Sequence, residues 1–224
     1  MKKYNQYILF TIILCSSFLT YANVIYSGTR FIYNESDNHI TISVKNKNIQ
    51  ENYLIQSWIT KENNKKTPFI ITPPLFKLKG SQDSVLKLTK IEPIIENNRE
   101  SIFYLNSKAI PLKESDNNSL HISLKSVFKL FYRPTGLPES IDEATKKVFF
   151  CINSQKELVI KNKSVYHFTI LSIFTSNNKK DISFMIEPFS ELNIGIVDFK
   201  TNILNWSYIN DFGNEVNVTA IDNK

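Results

Sequence analysis

Cysteine is nearly absent: the 224-residue sequence holds two, Cys15 and Cys151. The first lies in a thirteen-residue apolar run, "YILFTIILCSSFL" (Tyr7 to Leu19), behind Lys2 and Lys3 and ahead of the small residue Ala22. That is the layout of a cleaved secretory signal peptide over residues 1–22, and the run falls short of the about 20 residues that a bilayer span needs, so no stable membrane insertion is expected. Leu14 argues against lipid attachment at Cys15, which would need a small residue there. Export leaves one cysteine, so an intramolecular disulfide and a stapled mini-scaffold are excluded. Within the apolar run "VFFCI", Cys151 is expected in the core. Histidine is scarce as well. His39, His121 and His167 show no metal-ligand spacing, and nucleophile-elbow and phosphate-loop motifs are missing, which argues against an enzyme and predicts no metal and no cofactor. There is no dense Lys/Arg block, so nucleic acid is not an expected partner. Loss of Lys2 and Lys3 without any acid lowers the formal charge from +6 to +4, a mild balance that suits a solvated surface or a basic groove. Helical periodicity, low-complexity segments and short repeats are also lacking.

What is present is β-structure. Segments of alternating or clustered β-branched and aromatic residues are separated by Asn-, Asp- and Lys-rich breaks. They include "HITISVKN" (His39 to Asn46), "NYLIQSWIT" (Asn52 to Thr60), "SVLKLTKI" (Ser84 to Ile91), "SIFYLNSKAI" (Ser101 to Ile110), "ELVIKN" (Glu157 to Asn162), "YHFTILSIF" (Tyr166 to Phe174) and "NWSYIND" (Asn205 to Asp211). Many short strands at this spacing predict antiparallel sandwiches. The two "NNKK" breaks, Asn63 to Lys66 and Asn177 to Lys180, read as hairpin or loop tips. "RPTGLPES" (Arg133 to Ser140) carries two prolines and a glycine and reads as a corner between domains at 23–137 and 138–224. The halves, about 115 and about 85 residues, each fit an immunoglobulin-like sandwich.

One segment is unusual. In "SLHISLKSVFKLFYR", residues 119–133, Leu120, Ile122, Leu124, Phe128, Leu130 and Tyr132 are apolar at alternate positions, with Ser126 the gap. Lys129, Phe131 and Arg133 share the other face. As one strand it would span roughly 50 Å at about 3.3 Å per residue, more than a domain of this size covers. Two readings follow: a core strand extended into a hairpin, or an edge whose first half waits for another protein.

The ordered motifs "GTRFIY" (Gly28 to Tyr33), "KTPFIITPPLFKL" (Lys66 to Leu78), "RESIFYLNSKAIP" (Arg99 to Pro111) and "FKLFYRP" (Phe128 to Pro134), with the weaker "EPFSE" (Glu187 to Glu191) and "INDFGN" (Ile209 to Asn214), resemble the periplasmic pilus chaperones of the chaperone–usher pathway. The resemblance implies an all-β protein of two immunoglobulin-like domains set at an angle around a cleft. It implies no enzymatic activity, but a periplasmic chaperone that lends a strand to incomplete pilus subunits until an outer-membrane usher exchanges it. By motif position, Arg30 and Lys129, helped by Thr29, would hold the subunit's terminal carboxylate. Leu120, Ile122 and Leu124 would fill its groove, and Glu100, Arg133 and Asp211 would form an interdomain salt bridge. Three buried Leu or Ile side chains are worth roughly 5–9 kcal/mol gross. A hydrogen bond to a charged carboxylate adds about 1.5–3 kcal/mol, so the strand would supply affinity and the anchor register. An open apolar edge would also favour self-association.

The match departs from the family in two places. "KNKSVYHFTIL" lacks an expected proline, and "INDFGN" lacks a common aromatic and second glycine. The short segment between "FYLN" and "KLFYRP" is similar to that of the short-loop subclass. The alternative function is a secreted immunoglobulin-like adhesin or pilus subunit; a subunit would be one incomplete domain with a disulfide pair.

Overall fold

The computed structural model describes residues 24–62, 67–112, 122–176, 178–196 and 203–220. Among these, sixteen strands and one short helix form two sandwiches. In the first, β1 (Val24–Tyr26), β3 (Ile40–Asn46), β7 (Asp83–Lys90) and β5 (Phe69–Thr72) make one sheet, in the order β1-β3-β7-β5. The facing sheet runs β2 (Arg30–Asn34), β9 (Leu124–Arg133), β8 (Ser101–Pro111), β4 (Tyr53–Thr60) and β6 (Leu75–Leu78). The period-2 patterns explain the core between them: Ile42, Val44, Leu86 and Leu88 from one sheet meet Tyr33, Ile55, Phe103, Leu105, Leu130 and Tyr132 from the other, while Thr41, Lys45 and Lys87 face out.

The second sandwich packs β10 (Val148–Ile152), β11 (Glu157–Asn162) and β14 (Ser190–Ile196) against β13 (Lys179–Ile186), β12 (Phe168–Phe174), β15 (Asn205–Ile209) and β16 (Glu215–Thr219). Its core centres on fully buried Trp206, whose ring lies 5.6 Å from Phe168 and 5.4 Å from Tyr208. Between the sandwiches the chain turns at Pro134 to Pro138, with Gly136 at φ +79°. It then enters helix α1 (Ile141–Thr145) through a capping box between Ser140 and Glu143. Glu35 holds this corner, accepting from Thr135 N–H at 2.9 Å and Thr135 Oγ1 at 2.7 Å.

Four expectations are corrected. The first sandwich is not wholly antiparallel: β2 runs parallel to β9, because the chain crosses between sheets at Ser27 to Thr29 and arrives beside β9 in the same direction. The long strand begins at Leu124, opposite Ala109, so Ile122 and Ser123 lie beyond its ladder, and Leu120 and His121 lie outside the described residues. Cys151 is exposed, not buried. β10 is a sheet edge whose Val148 and Phe150 turn to the core, so Phe149 and Cys151 share the outer face, where a continuous apolar run suggested burial on both sides. Lys179 and Lys180 of the second "NNKK" are already in β13, opposite Phe174 and Ile173; the first "NNKK" lies outside the described residues.

Candidate functional site

β2 and β9 pair in register, Arg30 beside Lys129 and Asn34 beside Arg133. Since Phe31, Tyr33, Leu130 and Tyr132 enter the core, alternation turns Arg30, Lys129, Phe131 and Arg133 toward the second sandwich. Arg30 Nη1 donates to Ile209 O at 2.7 Å and Nη2 to Thr169 Oγ1 at 3.1 Å. Lys129 Nζ donates to the same Thr169 oxygen at 3.3 Å. No carboxylate of the described residues ion-pairs with either cation. Burial lowers the pKa of Arg30, offset in part by Asp211 and Glu100. It also lowers that of Lys129, and the neighbouring Arg30 adds to the effect. The pair is a concentration of desolvated positive charge that an anion would relieve. Thr29 is exposed beside them, facing the turn after β15: a Cβ on Gly213, at φ +84°, would stand 2.9 Å from Thr29 Oγ1.

Arg133 reaches further back. Its Nη1 and Nη2 grip Asp211 at 2.7 and 3.0 Å, while Nε and Nη2 donate to Glu100 Oε1 at 3.2 and 2.9 Å. Burial opposes the charge, but hydrogen bonds to Asp211 and the field of Glu100 outweigh it and hold the guanidinium pKa above its ordinary value. Glu100 is almost fully buried, and its Oε2 accepts from His167 N–H at 2.9 Å and lies 3.0 Å from His167 Nδ1. The three predicted residues therefore meet, and a fourth, His167, joins them.

At the other end of β9, Ile122 and Leu124 are 67% and 66% exposed. Beside them, among the described residues, runs an open edge, because β2 covers only Lys129 to Arg133 and leaves Leu124 to Phe128 with a strand on the β8 side alone.

Thr169, His167 and Phe131 were not singled out from the sequence. The signal was available in "YHFTIL": with Phe168 and Ile170 in the core, His167 and Thr169 must share the opposite face of β12. Phe131 is 2% exposed, lying 5.5 Å from the Arg30 guanidinium and 5.4 Å from the His167 ring. Among the described residues no group of three or more potential ligands could hold a metal, and no helix is long and apolar enough to cross a membrane.

Two β-sandwiches that meet at a pair of desolvated cations define the class of two-domain immunoglobulin-like proteins. Residues 23–138 match the N-terminal domain of pili and flagellar-assembly chaperones, and residues 143–220 the C-terminal domain of pili assembly chaperones. The chain belongs to this pilus-assembly chaperone family, whose members are not enzymes. It is 36% identical to the chaperone protein LpfB of Salmonella typhimurium over 84% of this chain and 83% of that protein. It is 31% identical to the chaperone protein PapD of Escherichia coli over 83% of this chain and 80% of that one. The crystal structure of the periplasmic chaperone SfaE is similar with a TM-score of 0.75 and 29% identity, covering 89% of this chain and all of that one.

Proposed function

We propose that this pilus-assembly chaperone works in the periplasm, holding each pilus subunit by lending it the open half of β9 and passing it to an outer-membrane usher. Residues 1–22 are then the export signal, and residues 23–137 and 138–224 the two arms of the cleft. Arg30 and Lys129 take the subunit's terminal carboxylate with Thr29 at the rim, and Ile122 and Leu124, continued by Leu120, enter its groove. Arg133, Glu100 and Asp211 hold the arms together. One observation carries this reading: two desolvated cations that ion-pair with no carboxylate of the described residues sit where the covered half of β9 meets its open half. An anchor there and an apolar edge beyond it suit a chain that ends in a carboxylate and lacks a strand. The same edge supports self-association of the empty protein.

The test is co-expression with a pilus subunit of the same organism. Arg30→Ala and Lys129→Ala are expected to remain folded, by circular dichroism, and to lose subunit co-purification. Normal recovery with both variants would overturn the anchor.

A further inference from the structure

Thr169 stands at the meeting point of the two cations, and it comes from the second sandwich. The residue is 7% exposed. A threonine hydroxyl has two lone pairs and one hydrogen. Arg30 Nη2 and Lys129 Nζ both donate to the oxygen, and among the described residues no group accepts the hydrogen of its O–H. A buried donor without an acceptor is costly, and here it lies between two cations that ion-pair with no carboxylate of the described residues. From this geometry we infer that the Thr169 hydroxyl is a third ligand of the bound carboxylate, donating its hydrogen to a carboxylate oxygen while Arg30 and Lys129 donate from the first sandwich.

The inference rests on the proposed carboxylate anchor and adds a consequence to it. With Thr169 as a ligand, the anion is held by both sandwiches at once. Arg30 already spans them through Ile209 O, so docking a carboxylate closes a link that the empty cleft has half made. β12 makes this specific: Thr169 lies two residues from His167, which is bound to Glu100, and just before the bulge at Leu171 where the register shifts.

The probe is a synthetic peptide copying the last strand of a pilus subunit of the same organism, prepared as free acid and as amide, with affinities measured by calorimetry. Wild-type protein is expected to prefer the acid. Thr169→Val, of nearly the same shape, is expected to weaken acid binding about 10- to 100-fold, the scale of one hydrogen bond to a charged group, and amide binding by much less, since a neutral carbonyl oxygen accepts a weaker bond. Thr169→Ser is expected to restore the preference. If the wild type does not distinguish acid from amide, the anchor itself fails. If it does, and Arg30→Ala and Lys129→Ala abolish the preference while Thr169→Val keeps it, the anchor stands and the role of Thr169 is overturned. Equal loss of acid and amide binding in Thr169→Val also overturns it, because a packing defect would act on both.

Discussion

Replacing Arg133 by methionine should uncouple the two sandwiches. The substitution removes four hydrogen bonds, two to each carboxylate, but the carboxylates are not equivalent. The Asp211 side chain is 29% exposed and water can replace its lost partners; that of Glu100 is 2% exposed and cannot be rehydrated without opening the interface. Breaking a buried ion pair from one side costs about 3–5 kcal/mol. That is a large part of the ~5–15 kcal/mol that keeps a typical protein folded. Asp211→Asn, which keeps one acceptor at a partly wet position, should cost about 1 kcal/mol. Glu100→Gln in the Arg133→Met background removes the stranded charge, keeps an acceptor for His167 N–H, and should recover most of the loss. Urea unfolding followed by tryptophan fluorescence measures all three variants, with scattering to follow the domain angle. The loss should appear as separate transitions for the two sandwiches. Equal destabilisation by Arg133→Met and Asp211→Asn, or no recovery in the double variant, would refute the view that desolvated Glu100 sets the strength of the link.

Three further outcomes are expected. Lys129→Met should stabilise the empty protein: the folded pKa of Lys129 is depressed, so from that value up to the ordinary lysine pKa the unfolded chain binds more protons and stability rises with pH. The variant should lack this rise in alkaline melts, and superimposable profiles would contradict it. Ile122→Asp should abolish subunit capture while leaving the unfolding midpoint unchanged, since Ile122 is largely exposed, whereas Ile122→Leu should be tolerated in both assays. Glu35, whose pKa is lowered by hydrogen bonds from Thr135, clamps the corner above the ordinary carboxylate pKa and releases it as pH falls through the depressed folded value. Proteolysis within Thr135 to Pro138 should accelerate across that acidic range, and Thr135→Val should remove most of the change.

Alternation made most of this legible in the sequence. It marked the segments around Ile42, Val44 and Leu86 as strands, and set Leu130 and Tyr132 on one face of one strand and Lys129 and Arg133 on the other, while the family motifs implied separate tasks for those two cations. Pairing partners were another matter. That β2 lies parallel to β9, with Arg30 directly beside Lys129, depends on a crossing between sheets that local pattern does not encode. Cys151 went astray because an apolar run does not distinguish a central strand from an edge. Thr169 and His167 were missed because their importance comes entirely from what stands opposite, across a gap between domains.

β9 joins Lys129 to the exposed Leu124 without interruption, and that continuity makes it a ruler. Five residue steps separate Leu124 from Lys129, about 17 Å at the rise of an extended chain. On the proposed anchoring, a client presents its carboxylate and its last vacant groove position at that separation, whatever its sequence between them. A family of subunits could diverge freely in surface and receptor contacts and still share one carrier, so long as this single length is kept. An insertion or deletion of one residue in either chain would do more harm than many substitutions.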